Sequence, residues 1–104
     1  MIRAEKKEKE IRDITEKLRA SLPRLQKEYS VQSLGLFGSY IRGEQKKGSD
    51  LDILVEFSII PGIFRFLELE RELSRLLNFP VDLVHKAALK PAIGKRILDE
   101  VQQI

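Results

Sequence analysis

Two small residues and three aspartates carry the chemistry that this chain can offer. Gly38 and Ser39 are followed by ten residues and then by Asp50-Leu51-Asp52, and a third acid, Asp82, stands further along. Gly38 ends the apolar run Leu34-Gly35-Leu36-Phe37, which reads as a strand, and Ser39 is placed to N-cap a short helix through Ile41, Arg42 and Gly43. A turn of that kind points backbone N–H groups at an anion such as a phosphate. Downstream, Asp50 to Val55 alternates as a strand does, sending Asp50 and Asp52 to one face and Leu51, Ile53 and Val55 to the other. Acids are disfavoured in strands. A divalent cation offsets the repulsion of two carboxylates on one face, and hard oxygen ligands suit Mg2+ or Mn2+. The plainer alternative is a Gly-Ser turn and a Gly48-Ser49-Asp50 loop whose acids are simply solvated.

Asp82 follows Pro80-Val81 and precedes Leu83-Val84, so it lies in an apolar strand where an ionised side chain needs either water or a cation. If that strand pairs beside the one carrying Asp52, three carboxylates meet. They then form a site for two cations about 3.5–4 Å apart, an arrangement that activates an attacking hydroxyl and steadies a leaving pyrophosphate. Otherwise Asp82 is an edge acid facing solvent. Glu56 shares the parity of Asp52 but sits four residues further on, and reads as a solvated or salt-bridged acid outside the ligand set.

Positioning these groups falls to a small α/β domain. Residues 3 to 20 read as a helix with Ile11, Ile14 and Leu18 on one stripe, a break near Ser21, and a second short helix from Pro23 to about Tyr29. Strands are expected at Val31 to Phe37, Leu51 to Phe57 and Val81 to Val84. Between the last two, Ile63, Phe66, Leu67, Leu73, Leu76 and Leu77 fit a helix face ending near Asn78. A final helix starts at Pro91, with Ile93, Ile97, Leu98 and Val101 as its apolar face. The fold class is a small mixed β-sheet flanked by helices.

Composition removes several function classes. With 104 residues and 42% hydrophobic content, the chain suits one compact domain over 1–104 with its own core. No run approaches a membrane span, and Met1 to Glu10 is charged rather than apolar, so neither a signal peptide nor an anchor is expected and the location is cytoplasmic. The absence of cysteine excludes disulfides and thiolate sites, and a single histidine, His85, excludes a zinc site of several imidazoles. Any metal must therefore sit on oxygen. A net charge of +3, with acids and bases interleaved, is a weak signal for nucleic acid. Locally, Lys86, Lys90, Lys95 and Arg96 form an acid-free basic run, and Arg42, Lys46 and Lys47 flank the Gly-Ser turn. These either screen a triphosphate, contact an acidic partner or RNA, or form a solvated rim.

These residues resemble the minimal nucleotidyltransferases of the DNA polymerase beta superfamily, whose mark is Gly-Ser, a spacer, Asp-x-Asp and a later Asp. The resemblance covers Gly35 to Glu44, Gly48 to Phe57 and Val81 to Val84, and extends through Ala88-Leu89-Lys90-Pro91 to Arg96-Ile97-Leu98. It implies a polymerase beta-like core in which Gly38 and Ser39 hold nucleotide phosphates, Asp50 and Asp52 bind the metals, and Asp82 is the third acid, a metal ligand that could also be the base for the acceptor hydroxyl. Two Mg2+ ions would support transfer from ATP, although the residues leave CTP, GTP and UTP open. Arg42 would act as a phosphate or a structural partner, and Tyr40 with Arg42 could order the short helix. Ile41 and Ser58 depart mildly from the family pattern.

The resemblance also implies a partner. Stand-alone members act as antitoxins of HEPN-domain toxins, some by moving AMP from ATP onto a toxin tyrosine. Two alternatives stay open: an antitoxin that masks the toxin by binding, and a catalytic subunit whose nucleic-acid or antibiotic acceptor is held by another chain. Phe57, Ile59, Ile60, Ile63, Phe64 and Phe66 cluster around Pro61-Gly62, either as a partner patch or as the buried start of the helix core. His85 either contacts a partner or is incidental.

Overall fold

The computed structural model describes residues 2–44 and 50–104, with side chains from Glu10 onward. Its elements are α1 (Ile2–Tyr29), β1 (Val31–Phe37), α2 (Ser39–Arg42), β2 (Leu51–Phe57), α3 (Ile63–Leu77), β3 (Val81–His85), a 3-10 turn (Lys86–Ala88), α4 (Pro91–Glu100) and β4 (Gln102–Gln103). Lys46, Lys47, Gly48 and Ser49, expected beside the Gly-Ser turn, lie outside the described residues.

The four strands form one mixed sheet in the order β3-β2-β1-β4. β1 pairs antiparallel with β2 and with β4, whereas β2 and β3 are parallel neighbours joined through α3. Paired positions share a face. Leu34 and Leu36 of β1, Leu51, Ile53 and Val55 of β2, and Val81 and Leu83 of β3 therefore form one apolar surface. Ile14, Leu18 and Leu25 of α1 and Leu69, Leu73 and Leu77 of α3 close over it as the core. The opposite face carries Phe37, Asp52 and Asp82.

α1 runs unbroken through Pro23, in place of the break expected near Ser21. A proline inside a helix forfeits one hydrogen bond and crowds a carbonyl, at a cost of about 3 kcal/mol. Ile14, Leu18, Leu25 and Tyr29 are all buried and lie on one stripe that spans the proline. Each such burial contributes about 1.5–3 kcal/mol, so the shared stripe outweighs the defect, and Pro23 itself is exposed.

α3 buries Leu69, Leu73 and Leu77, leaving Ile63 and Leu67 of the expected face exposed. It ends where expected: Asn78 takes the left-handed conformation at φ 57° that closes a helix. Two α3 side chains then reach the outer edge of β3, where the Val81 N–H donates to Ser74 Oγ at 3.1 Å and the Leu83 N–H donates to Glu70 Oε2 at 2.9 Å.

α4 starts at Pro91 as expected, but Ile93 and Leu98 of its apolar face are exposed. After it the chain turns back along β1 as β4, an element with no signature in its two glutamines. Close approach makes this possible. A Cβ on Gly35 would stand 2.5 Å from Val101 Cγ2, so only glycine lets the segment after α4 lie against β1.

Candidate active site

β2 and β3 run in parallel with Asp52 directly opposite Asp82, which puts the two carboxylates on the same face of adjacent strands. On the other side of β2, Phe37 is the partner of Asp52, and β1 ends there. Asp50 is exposed just before β2. The half-buried Asp52 carboxyl is pushed up from 3.8 to about 6, first by burial and then by the charges of Asp82 and Asp50, with Arg42 opposing the shift. The three aspartates therefore act on one another. Among the described residues, no three acidic or imidazole groups stand as a ready-made metal cage. The donor chemistry nevertheless fits a hard divalent cation, since adjacent carboxylates of like charge and all-oxygen character are what such an ion neutralises.

Gly38 makes the turn that faces this pair. Its φ of 84° lies in the region that favours glycine, and a Cβ there would collide with the Asp52 carboxylate. The N-cap of α2 is Gly38, not Ser39; Ser39 is the first helical residue. The left-handed conformation that the approach to Asp52 demands is the reason, because Gly38 accommodates it without a side chain. Tyr40 is buried and packs edge-on against Phe79 at 5.5 Å between ring centroids, which orders the four-residue helix.

The first anion this turn meets belongs to the chain itself. Glu100, the last residue of α4, accepts the Gly38 N–H at 3.1 Å. The same carboxylate accepts Arg42 Nη1 at 3.0 Å and 3.1 Å on its two oxygens, while Arg42 Nε donates to Glu44 at 2.9 Å. Of the two roles expected for Arg42, these bonds favour the structural one. Phe37, Gly38, Arg42, Asp52, Arg96 and Glu100 line a cavity of about 210 Å3 that Ile93 and Ile97 complete from α4. A larger concavity of about 400 Å3 holds Lys86, Lys90 and Lys95 of the basic run, with Asp99, but none of Asp50, Asp52 and Asp82. We take the smaller one as the site because only it joins the turn to a carboxylate of the cluster.

Glu100 and the cavity position of Arg96 were not legible as site features in the sequence, although one signal existed. Asp99-Glu100 ends a helix, where the macrodipole disfavours acids, so a carboxylate there implies a cation or N–H donors supplied by another element.

Other expectations resolve as follows. Glu56 is salt-bridged, to Lys86 Nζ at 3.5 Å. His85 ends β3 edge-on to Phe57, with ring centroids 5.1 Å apart. In the apolar cluster, Phe57 is buried and Phe66 partly so. Ile59, Ile60, Ile63 and Phe64 are 64–84% exposed and thus do not begin the helix core. No helix among the described residues is long and apolar enough to cross a membrane.

Comparison with known proteins shows the family to which this fold belongs. The chain is 46% identical over 91 residues to protein adenylyltransferase MntA of Thermococcus cleftensis, covering 88% of this chain and 92% of the relative. Among solved structures, a toxin-antitoxin with AMP-PNP is similar with a TM-score of 0.65 and 27% identity, over 81% of this chain and 69% of that one. A mutant of the toxin-antitoxin MntA-HpeT is similar with a TM-score of 0.66 and 25% identity, over 88% and 69%. The model of the nucleotidyltransferase domain matches residues 15–104. With most of its length matched, the chain belongs to the nucleotidyltransferase domain family, as a minimal nucleotidyltransferase.

Proposed function

We propose that this chain is a Mg2+-dependent enzyme that moves AMP from ATP onto a HEPN-domain toxin and thereby acts as its antitoxin. The observation that carries this reading is the register pairing of Asp52 with Asp82 beside the Gly38 turn. Support also comes from the Thermococcus relative, described as a protein adenylyltransferase, and from the similar toxin-antitoxin that contains AMP-PNP.

In this reading Asp50, Asp52 and Asp82 hold Mg2+, which when bound neutralises charge on the reacting phosphate and the leaving pyrophosphate. Ser39, as the first residue of α2, offers an N–H with no intrahelical partner, and its hydroxyl, to the phosphates. Phe37 and Ile97 give the cavity beside Asp52 an apolar wall. Asp82, exposed on the edge strand, faces the acceptor and takes the proton of a toxin tyrosine hydroxyl. The tyrosine oxygen forms the new bond to the α-phosphorus, the bond to pyrophosphate breaks, and the proton remains on the Asp82 carboxyl. Arg42 keeps the turn in place from the rim.

The test is the intact mass of the toxin after incubation with this protein, ATP and Mg2+, with Asp52→Asn as control. Gains of whole AMP units that vanish with the variant support the reading. An unmodified toxin within a stable complex moves the function to masking, a second reading favoured by the exposed Ile59, Ile60, Ile63 and Phe64. In that case toxin neutralisation survives Asp52→Asn.

A further inference from the structure

We infer that Arg96 is the cation that meets the nucleotide's phosphates, whereas Arg42 serves as a brace between α2 and α4. The inference rests on the nucleotidyl-transfer reading and assigns a residue that its motif does not contain. Two arginines line the cavity beside Asp52. Arg42 is committed: it holds both oxygens of Glu100 and one of Glu44. To grip a phosphate with the same nitrogens it would have to release those carboxylates, and the Glu100 that holds the Gly38 N–H would lose its counter-charge.

Arg96 is under no such constraint. Among the described residues it makes no hydrogen bond or ion pair, although it is exposed at the same cavity. It precedes Glu100 by four residues on α4, about 6 Å along the axis and on the same side of the helix. Glu100 would be its natural helix partner, yet that carboxylate turns to Arg42 and Gly38 instead. The result is an unpaired guanidinium over a cavity that also contains a carboxylate of the metal cluster. A triphosphate brings several negative charges into this space, and a planar guanidinium binds two phosphate oxygens at once. The division of labour follows: Glu100 occupies one arginine and leaves the other to the substrate.

The experiment is titration of the protein with a non-hydrolysable ATP analogue and Mg2+, comparing the unsubstituted chain with Arg96→Ala and Arg96→Lys at low and high salt. Arg96→Ala should weaken binding about tenfold or more, with Arg96→Lys between the two and all three melting at the same temperature. The salt dependence of binding should also flatten in Arg96→Ala, a change that a purely structural role would not produce. Equal binding by Arg96→Ala and the unsubstituted protein would overturn the role of Arg96 alone. Absence of binding by the unsubstituted protein would remove the nucleotide reading, and this inference with it.

Discussion

One nitrogen of Arg42 lies 3.0 Å and 3.1 Å from the two carboxylate oxygens of Glu100, across the mouth of the cavity that contains Asp52. Glu100 is 27% exposed and Arg42 43%, so solvent screens the charge attraction. The Gly38 N–H depends on the same carboxylate. Glu100→Ala should therefore destabilise the fold by about 1 kcal/mol, mostly through the orphaned donors, and chemical denaturation measures it. A double-mutant cycle with Arg42→Ala should show the two losses to be coupled rather than additive.

Asp52 gives the chain a pH dependence of defined sign. Its folded-state carboxyl is raised from 3.8 to about 6, so the folded state holds this proton more tightly than the unfolded state. The associated stability is fully present below pH 3.8, declines as pH rises through about 6, and is flat above. In its proposed role as a Mg2+ ligand, Asp52 must be ionised. The rise in melting temperature on adding Mg2+ should accordingly be small at pH 5 and reach its full size by pH 7.5, as thermal melts at matched ionic strength would record.

Removing that charge should separate stability from activity. Asp52→Asn relieves the repulsion from Asp82 and Asp50 in the metal-free protein, for a gain on the order of 1 kcal/mol at pH 8 after allowance for solvent. Transfer of AMP to the toxin should fall below detection. A variant that melts lower than its parent without metal would contradict the electrostatic account of the site.

Gly38→Ala tests the turn. The substitution forces a side chain into a left-handed conformation at φ 84° and into the Asp52 carboxylate. A loss of about 1–3 kcal/mol is expected, together with weaker Mg2+ binding, because Asp52 must move to make room. Gly62, the N-cap of α3, where a Cβ meets nothing within 4 Å, is the control: Gly62→Ala should leave Mg2+ binding unchanged and cost less stability than Gly38→Ala.

Charge at the exposed apolar cluster tests partner docking. Ile60→Asp and Phe64→Asp replace side chains that are 68% and 84% exposed, so melting should be unaffected. Size-exclusion of the variants with the toxin should show a lost or weakened complex. The cluster adjoins the end of β2 opposite to Asp52, so adenylation of a free acceptor peptide should be unchanged.

Local pattern made much of the architecture legible. The span of β2 and the end of α3 at Asn78 followed from alternation and from a capping residue, both of which act within a few positions. The motif aspartates were visible for the same reason. What the sequence concealed depends on tertiary approach. Pro23 reads as a break until Leu25 and Tyr29 are seen to bury against the same core as Leu18. β4 exists because Val101 can lie against a glycine 66 positions earlier, and Glu100 acquires its partners from residues 58 and 62 positions away. The exposed positions of α4 misled for the converse reason: an apolar stripe states that a helix has a sticky side but not that anything covers it.

The bonds from Ser74 and Glu70 to the outer N–H groups of β3 decide how this molecule meets its neighbours. A bare sheet margin is a template on which another chain can add a strand, and repeated addition leads to fibrous aggregates. Here that margin is already capped by the chain's own helix. The aspartate between the two capped positions, Asp82, is consequently presented by a strand whose outward N–H groups at Val81 and Leu83 are already taken, and encounters at this edge fall to side chains.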